Sequence, residues 1–415
     1  MQPQDKIDHF LRRTGFGVTS EERRLGRNLG YETLVERTLQ NALSYRLQKR
    51  PPMTVAPALV VPVTLVTFGQ GVGWWFNTMA QTASPLSERM TMFWHRHFAT
   101  SGSKVFRPGW MFAQNQTFRR NGMGSFADLL QAMVSDPALL SWLDAHNNPA
   151  DNPNENLARE LLELFTLGRG SYIESDVKQL AKLTTGRRVA FGGRAVEAPE
   201  DAYQGPVSVL GYKGQFGLKE MAAKLAVHPA TARRSVELLW EDFAACPLPD
   251  RLATRWSRLW TETRGNVAII LREMFLSEEF FTAPFQRVCS PVEYWVSCAR
   301  LLKWDKFSLE DSGALNKAGE LLFFPPSVKG WDLGEALIHP AAMQIRLEIA
   351  DTIVASLNDR HFALQGLDRT PDRGRYLEHL SGGQIKATTL PGDLDRFSPR
   401  EALLLGLSSP DMWMS

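Results

Sequence analysis

The sequence has little of what marks a disulfide-stabilised or nucleic-acid-binding protein. It contains three cysteines in 415 residues, too few for a disulfide framework, and no Cys-x-x-Cys pair that would indicate zinc. Lysine and arginine number 47 and aspartate and glutamate 45, so the net charge is only +2. Arginine pairs are scattered along the chain and form no basic stripe. We therefore expect reduced thiols and no nucleic-acid partner.

Long apolar runs are also missing. The most apolar tract, residues 58–68, is interrupted by Pro62 and is too short to span a bilayer. Residues 1–10 are polar and charged and lack the apolar core of a signal peptide. The sequence therefore predicts no membrane span. As it stands, it predicts a cytoplasmic protein, or an exported one if a signal has been removed from it.

Several well-known catalytic signatures are absent as well. There is no Walker-type phosphate loop, no Gly-x-Ser-x-Gly nucleophile elbow and no His-Glu-x-x-His helix. The glycine-rich stretch 211–217 lacks the strand-to-helix setting of a nucleotide site, so we interpret it as a turn. Any chemistry must therefore come from a less familiar arrangement of side chains.

Helical patterning fills most of the sequence. Apolar residues recur at helical spacing, and capping boxes such as that of Thr19 and Glu22 mark helix starts. We predict an all-α fold, a multi-helix globular domain with at most a minor β-hairpin in the glycine-containing segment 189–212. Its predicted parts are an N-terminal helical segment (1–50), an extended linker rich in proline and valine (51–70), a main helical domain carrying the candidate site (71–357), and an irregular segment with a C-terminal helix packed on that domain (358–415).

The most informative stretch is residues 154–168, with the sequence Asn-Glu-Asn-Leu-Ala-Arg-Glu-Leu-Leu-Glu-Leu-Phe-Thr-Leu-Gly. Its spacing predicts one amphipathic helix over residues 153–167. Asn152 suits the N-cap and Pro153 the first helical position. Glu155 suits a capping-box carboxylate, and Gly168 the C-cap. The start and the end of the helix are thus both marked.

Four polar residues of this helix have no predicted capping role: Asn156, Arg159, Glu160 and Glu163. One interpretation is a solvated face, since Arg159 is spaced i,i+4 from Glu155 and from Glu163, and each such pair contributes about 0.2–0.5 kcal/mol. The other is that Glu160 and Glu163 point into a cleft as acid–base groups or metal ligands. The spacing alone does not decide between them.

Two histidines in the run Phe-Trp-His-Arg-His-Phe at 93–98 are the other candidates. Residues two apart on a helix point about 200° from each other, so His95 and His97 cannot both bind one metal from mid-helix. His97 falls on the apolar face and His95 on the polar one, with Glu88. A histidine on an apolar face is more often a buried structural residue. If the helix ended at His95, the two rings could converge.

Motifs along nearly the whole chain resemble one bacterial family, the domain of unknown function 1800 family. They are Leu-Arg-Arg-Thr-Gly-Phe-Gly at 11–17, the histidine motif at 93–98, the stretch 154–168, Asp176, Thr-Gly at 185–186, His-Pro-Ala-Thr at 228–231, Ser-Pro-Val-Glu at 290–293, Pro-Pro-Ser-Val-Lys-Gly-Trp at 325–331 and residues 403–410. The resemblance implies a largely helical domain. It also implies that members are commonly exported and often encoded beside a family resembling the alkaline-phosphatase fold. This sequence departs from the pattern at Arg187, where a tryptophan usually follows Thr-Gly, and in lacking a visible export signal.

Together these residues suggest a site between helix 84–98 and helix 153–167. In this hypothesis His97, with or without His95, faces Glu160 and Glu163 across a cleft. Asn156 and Arg159 position a substrate oxygen, and the supporting residues are Asp144, Asn154 and Glu155. Imidazole with carboxylate suits a divalent transition metal such as zinc, iron or manganese, which activates water for hydrolysis.

The sequence leaves two functions open. The first is a hydrolase-type enzyme that uses this histidine and carboxylate site, with or without a metal. The alternative is a non-catalytic binding or assembly partner of a phosphatase-fold neighbour protein. In the alternative, the same residues form a buried polar network that fixes two helices together.

Overall fold

The computed structural model describes residues 3–45, 61–190, 195–282, 287–308 and 311–415. The N-terminal half contains helices α1 (Pro3–Thr14), α2 (Ser20–Leu29), α3 (Tyr31–Tyr45), α4 (Val61–Gln81), α5 (Pro85–His97), α6 (Gly102–Val105), α7 (Pro108–Asn121), α8 (Phe126–Met133), α9 (Pro137–Trp142), α10 (Asn156–Glu160), a π-helix (Leu161–Phe165) and α11 (Glu174–Leu183). After the strands follow α12 (Leu218–Ala226), α13 (Pro229–Ala244), α14 (Asp250–Glu262), α15 (Val267–Phe275), α16 (Glu279–Thr282), α17 (Pro291–Leu302), α18 (Asp311–Lys317), α19 (Pro340–Ser356), α20 (Phe362–Arg369), α21 (Arg373–Leu380), α22 (Pro399–Leu407) and α23 (Pro410–Trp413). Short 3-10 helices cover Pro199–Asp201, Gly334–Leu337, Ala387–Thr389 and Leu394–Arg396.

The predicted all-α class is confirmed. The described strands form two antiparallel pairs, β1 (Arg187–Val189) with β2 (Ala195–Glu197) and β3 (Val207–Val209) with β4 (Tyr212–Gly214). Both pairs lie in or beside the glycine-containing segment predicted to hold a hairpin. At three residues per strand they are minor additions to a helical protein.

The predicted linker is wrong over residues 61–70. Helix α4 begins at Val61, which makes this stretch helical, while residues 51–60 lie outside the described part of the chain. Pro62, which suggested an extended segment, stands in the first turn of α4. Proline is tolerated there because the first N–H groups of a helix have no partner within it.

Residues 358–398 are more regular than predicted. They contain α20 and α21, which are eight residues each and too short to give a clear periodic signal in the sequence. Side chains of this C-terminal region share one apolar core with α17 and α19, including Leu377, Leu403 and Trp295. The C-terminal segment therefore packs against the helices that precede it.

Two apolar cores account for most of the burial. The first contains side chains of α1, α3, α5, α8, α10 and α12–α15, among them Phe10, Trp94, Leu161, Trp240 and Phe275. The second is built on α4, α17, α19 and α22, among them Trp75, Val292, Trp295, Ile349 and Leu403. Helix α5 contributes to both cores, through Trp94 to the first and Met92 to the second. It therefore joins the two halves.

A buried ion network lies where the cores meet. Arg89 of α5 contacts Asp242 of α13 at 3.1 Å and also pairs with Glu293 of α17. Arg96 pairs with the other oxygen of Asp242, and Arg287 donates to Glu293 at 2.7 Å. Burial alone would raise the pKa of Glu293, but the guanidinium groups of Arg287 and Arg89 hold it well below its usual value. The network thus ties three helices together through charges removed from water.

Candidate functional site

The helix predicted over residues 153–167, which we call the central helix, begins three residues later than its capping signals predict. It starts at Asn156, and Asn152 and Glu155 make no side-chain cap on it. Instead, the side-chain oxygen of Asn154 accepts the backbone N–H of Asn156 at 2.8 Å, and that of Asn148 accepts the N–H of Asn154 at 2.7 Å. Two asparagine-stabilised turns therefore take the place of the predicted capping box.

The helix also changes its geometry halfway. Residues Leu161–Phe165 form a π-helix, and the hydroxyl of Thr166 donates to the carbonyl of Leu161. The N–H of Gly168, at φ +87°, donates to the carbonyl of Leu162 at 3.1 Å and closes the segment near its predicted end. A π-helix places one more residue in each turn, and such turns are frequent at functional sites. The predicted i,i+4 contact of Arg159 with Glu163 is consequently not formed among the ion pairs of the described residues.

Arg159 bonds to two other carboxylates at the surface. Its guanidinium contacts Glu174 at 2.7 Å and Glu155 at 3.0 Å. The hydrogen bond that Arg159 donates to Glu174, then the charge of Glu174 and the hydrogen bond donated to Glu155, raise the pKa of Arg159. Glu155, predicted to be a cap, is therefore a salt-bridge partner, and the face predicted as a buried polar network is exposed or half-buried.

Glu163 is held by two donors that the sequence did not single out. Its carboxylate accepts the Nε–H of Arg169 at 2.6 Å and the hydroxyl of Tyr172 at 2.9 Å. The hydrogen bond from Arg169 is the main cause that lowers the pKa of Glu163. Glu163 therefore stays ionised and is occupied by partners from the loop that follows the π-helix.

Glu160, unlike Glu163, has no hydrogen-bond donor among the described residues, and its pKa is raised. It is half-buried, and it accepts no hydrogen bond from the residues that the structure describes. Burial, and then repulsion by Glu163, raise the pKa of its carboxyl group, while Arg159 and Lys329 partly offset these effects. Lys329 belongs to the Pro-Pro-Ser-Val-Lys-Gly-Trp motif, so two distant motifs meet here.

The structure does not bring the histidines to these carboxylates. Helix α5 continues to His97, so the condition under which both rings could converge is not met. His97 is packed among Phe93, Trp94 and Phe126, and its Nε2 bonds to the carbonyl of Phe165 at 3.1 Å. Since a carbonyl only accepts, the Nε2 carries the hydrogen. Burial lowers the pKa of His97 to about 4, so the ring is neutral and supports the π-helix from its buried side.

His95 serves another part of the core. It is buried, and its Nε2 accepts the backbone N–H of Phe323 at 3.1 Å. Burial, then the charge of Arg96, lower the pKa of His95 to about 3. Within the described ranges, no group of three or more histidine, cysteine, aspartate or glutamate side chains is placed to hold a metal ion. The predicted ligand set of His95, His97, Glu160 and Glu163 is therefore not assembled.

The remaining predicted residues are dispersed. The side chain of Asp144 pairs with Lys104 at 2.7 Å, and its backbone carbonyl accepts from the amide of Asn154 at 3.5 Å. Asn156 is exposed. A shallow depression lined by Phe16, Ser297, Gln384 and others includes none of the predicted site residues.

An apolar residue that sequence reasoning missed stands beside this face. Ile173 is 67% exposed and occupies the N-cap of α11, where Asp176 accepts its backbone N–H at 3.0 Å. The available signal was an isoleucine at a position where serine, threonine, aspartate or asparagine is preferred.

The geometry accounts for several of the motifs quoted above. The stretch 154–168 forms α10 and the π-helix, His97 of the motif at 93–98 bonds to the carbonyl of Phe165, and the charge of Lys329 acts on Glu160. The chain belongs to the family described as Protein of unknown function (DUF1800). That family's model matches residues 9–414, as the motifs predicted. Comparisons with curated proteins and with solved structures gave no match.

The expectation about membranes can be checked on the helices. In the part of the chain that the structure describes, no helix has the length and apolar character needed to cross a bilayer. This holds for helix α4 too, which includes most of the apolar tract noted in the sequence.

Proposed function

We propose that this chain is a non-catalytic binding protein that assembles with a partner protein through the surface around Ile173. We define the Ile173 surface by Arg159, Glu163, Arg169, Tyr172, Ile173 and Glu174. The observation that carries the proposal is an exposed isoleucine, fixed in position and surrounded by paired charges. We take the partner to be the phosphatase-fold protein that members of this family are often encoded beside.

The isoleucine is fixed by its two chain neighbours. Tyr172 donates to Glu163 at 2.9 Å, and Glu174 accepts from Arg159 at 2.7 Å. These bonds attach the start of α11 to both parts of the central helix. A side chain whose backbone is already ordered loses less entropy on binding, which favours a docking role.

The surroundings of Ile173 have the composition of a small protein interface. Arg159 with Glu155 and Glu174 lies on one side, and Glu163 with Arg169 on the other. Interfaces typically combine an apolar centre with a polar rim, and a few central side chains contribute most of the affinity. Ion pairs satisfied within one chain leave no unpaired charge to desolvate when a partner covers them.

The identity of residue 173 gives no advantage to the fold. Isoleucine provides no side-chain acceptor for the N-terminus of α11, where a serine would typically add about 1 kcal/mol. Its exposure also leaves apolar area in water. A residue that breaks a local rule without a compensating contact is expected at functional positions.

Replacing Ile173 by serine tests the proposal. Ile173→Ser removes the apolar contact and supplies a good N-cap, so we expect the melting temperature to stay or rise. Affinity for the purified phosphatase-fold neighbour, measured by isothermal titration calorimetry, should fall about tenfold. Ile269→Ser on α15, another exposed isoleucine, is the matched control and should bind like the unsubstituted protein. No binding by the unsubstituted chain, or equal binding by both variants, contradicts the proposal.

One observation favours a second candidate, a metal-free acid–base hydrolase. The pKa of Glu160 is raised while that of Glu163 is lowered, and paired carboxylates with separated pKa values are typical of acid–base catalysis. In this version Glu160 is the proton donor and Glu163 the ionised partner. Neither histidine takes part, since both rings are neutral and bonded to the backbone.

A further inference from the structure

A second surface, independent of the Ile173 surface, is both apolar and acidic. It covers the 3-10 helix Gly334–Leu337 and the outer side of α19. Three large apolar side chains are exposed there: Leu333 at 48%, Ile338 at 49% and Leu347 at 45%. We call the acidic surface the set of Asp332, Leu333, Glu335, Ile338, Leu347, Glu348 and Asp351.

The two segments that carry these side chains are fixed to each other. Arg346 is buried, and it donates to the carbonyl of Leu337 at 3.2 Å and to that of Cys289 at 2.7 Å. This bond therefore links the end of the 3-10 helix, which Ile338 follows, to the helix that carries Leu347. The ring of His339 accepts the N–H of Ala342 at 3.2 Å and caps α19. The exposed apolar residues therefore stand on an ordered base.

The charges of this surface are of one sign. Asp332, Glu335, Glu348 and Asp351 are exposed, and none of them forms an ion pair within the ranges that the structure describes. Between Lys329 and Arg360 the sequence has one lysine or arginine, the buried Arg346. Glu348 accepts a hydrogen bond from the amide of Gln344 at 2.9 Å, which leaves its charge uncompensated. The chain as a whole carries +2, so four carboxylates without a described basic partner, in the same two segments as three exposed apolar side chains, are a local feature.

This arrangement does not stabilise the folded state. Exposed apolar side chains leave area in water, and neighbouring like charges repel. By contrast, Asp359, just beyond the surface, pairs with Arg400 at 2.8 Å, as acidic residues elsewhere on this protein commonly do. Apolar contacts ringed by unpaired charges of one sign instead fit a partner that supplies the opposite charge.

We propose that the acidic surface binds a basic amphipathic helix of a partner protein. Leucine-type side chains of that helix would cover Leu333, Ile338 and Leu347, and its lysine or arginine residues would lie over the four carboxylates. The negative charge repels nucleic acid and anionic lipid headgroups, which leaves a basic polypeptide as the complementary class. The proposal does not depend on the function proposed for the Ile173 surface.

A labelled amphipathic helical peptide of leucine and lysine is the probe, with binding followed by fluorescence anisotropy. Leu347→Ser should raise the dissociation constant about tenfold, because an interface anchor is lost. The double variant Glu348→Gln with Asp351→Asn should raise it by a similar factor at low salt and by less at physiological salt. The effect of Leu347→Ser should be the same at both salt concentrations.

Matched controls keep the test specific. Leu25→Ser on α2 removes one exposed leucine elsewhere, and the double variant Glu241→Gln with Glu262→Gln removes two exposed negative charges elsewhere. Both should bind the peptide within about twofold of the unsubstituted chain, a change under about 0.5 kcal/mol. Ile338→Ser provides a second apolar variant should Leu347→Ser fail to fold. An equal loss in the controls, no binding by the unsubstituted chain, or self-association abolished by Leu347→Ser would overturn the proposal.

Discussion

Arginine and carboxylate side chains form ion pairs in two regions of this protein, one buried between the two cores and one exposed at the surface. In the buried ion network, Arg89, Arg96 and Arg287 enclose Asp242 and Glu293 between the two cores. On the Ile173 surface, Arg159 pairs with Glu155 and Glu174 in contact with water. The residue types and the bond lengths are similar, but their surroundings are not.

The difference between the two regions is one of desolvation. Removing each ion from water costs several kcal/mol, which the buried network recovers only while all its partners are present. The exposed pairs remain hydrated, and each is typically worth between 0 and about 1 kcal/mol. The first region therefore determines whether the two cores stay joined, whereas the second is free to change with little effect on folding.

The comparison also explains why the histidine motif and the carboxylates of the stretch 154–168 do not form one site. The motif at 93–98 places Arg96 in the buried network and His97 under the π-helix. The stretch 154–168 places its charges at the surface. Both motifs contain residues that suit catalysis, but burial makes one of them structural. Residue type alone does not separate the two roles.

The largest effect is expected from Glu293→Gln. The substitution keeps the shape of the side chain but removes the carboxylate that Arg287 and Arg89 share, and leaves Asp242 as the one acidic partner of the three arginines in the described ranges. The free energy of unfolding should fall by about 3–5 kcal/mol, the usual cost of breaking a buried ion pair. Urea denaturation near neutral pH measures it, with Glu174→Gln on the Ile173 surface as the control that should keep its midpoint. A loss below about 1 kcal/mol would mean that the network is not what joins the cores.

The second prediction concerns pH. The folded-state pKa of His97 is about 4, below the value near 6.5 expected for the unfolded chain. The unfolded state therefore takes up a proton first as the pH falls. Stability is full above pH 6.5 and is lost progressively as the pH drops towards 4. Between pH 7.5 and pH 5 this histidine should account for roughly 2 kcal/mol of lost stability.

His97→Gln tests the pH prediction by difference. The amide of glutamine can still donate to the carbonyl of Phe165 but does not titrate, so unfolding of the variant should depend less steeply on pH. Asp136, whose pKa burial raises to about 6, gains a proton in the folded state over the same range and acts in the opposite sense. It is present in both proteins and cancels in the comparison. Equal slopes for both proteins would refute the assignment of His97 as a neutral core residue.

Local patterns in the sequence were enough to predict the fold class. The capping box at Thr19 and the apolar residues at helical spacing needed no tertiary information. The apolar face of α5 likewise placed His97 among aromatic rings. Contacts between distant residues were beyond reach, since Arg89 and Glu293 are 204 positions apart. No periodicity in one segment reports on such a pair.

The errors in the candidate site also have physical causes. The run Leu-Leu-Glu-Leu-Phe fits an α-helix and a π-helix equally well, because its apolar side chains lie on one side in either. The start of α10 depends on the turn that Asn148 makes with Asn154, which competes with the predicted cap. Ile173 was overlooked because an apolar residue next to a helix is normally assigned to the core.

A smaller effect on stability is expected from Arg159→Gln. The substitution removes two ion pairs at the surface, and the free energy of unfolding should change by less than about 1 kcal/mol. Affinity for the phosphatase-fold partner should nevertheless fall, because the loop carrying Ile173 loses one of its two attachments. Urea denaturation and calorimetric titration of the same sample separate the two effects. If stability fell as far as it does in Glu293→Gln, the contrast between the two regions would not hold.

The smallest effect on stability, and the one that separates the two candidate functions, is expected from Glu160→Gln. The folded-state pKa of Glu160 is raised, so its ionised form disfavours the folded state above the usual glutamate pKa. Removing that charge should leave stability unchanged or raise it by up to about 0.5 kcal/mol near neutral pH, as expected when a like-charge pair is relieved. The gain should vanish near pH 4, where the carboxyl group is protonated in both states. A loss of about 1–3 kcal/mol would instead identify Glu160 as a structural hydrogen-bond partner. Two further results separate the candidate functions if the variant folds. The binding function is supported if the affinity for the partner is unchanged and neither protein has hydrolytic activity. The acid–base site is established in its place if the unsubstituted chain hydrolyses a substrate and Glu160→Gln abolishes that activity.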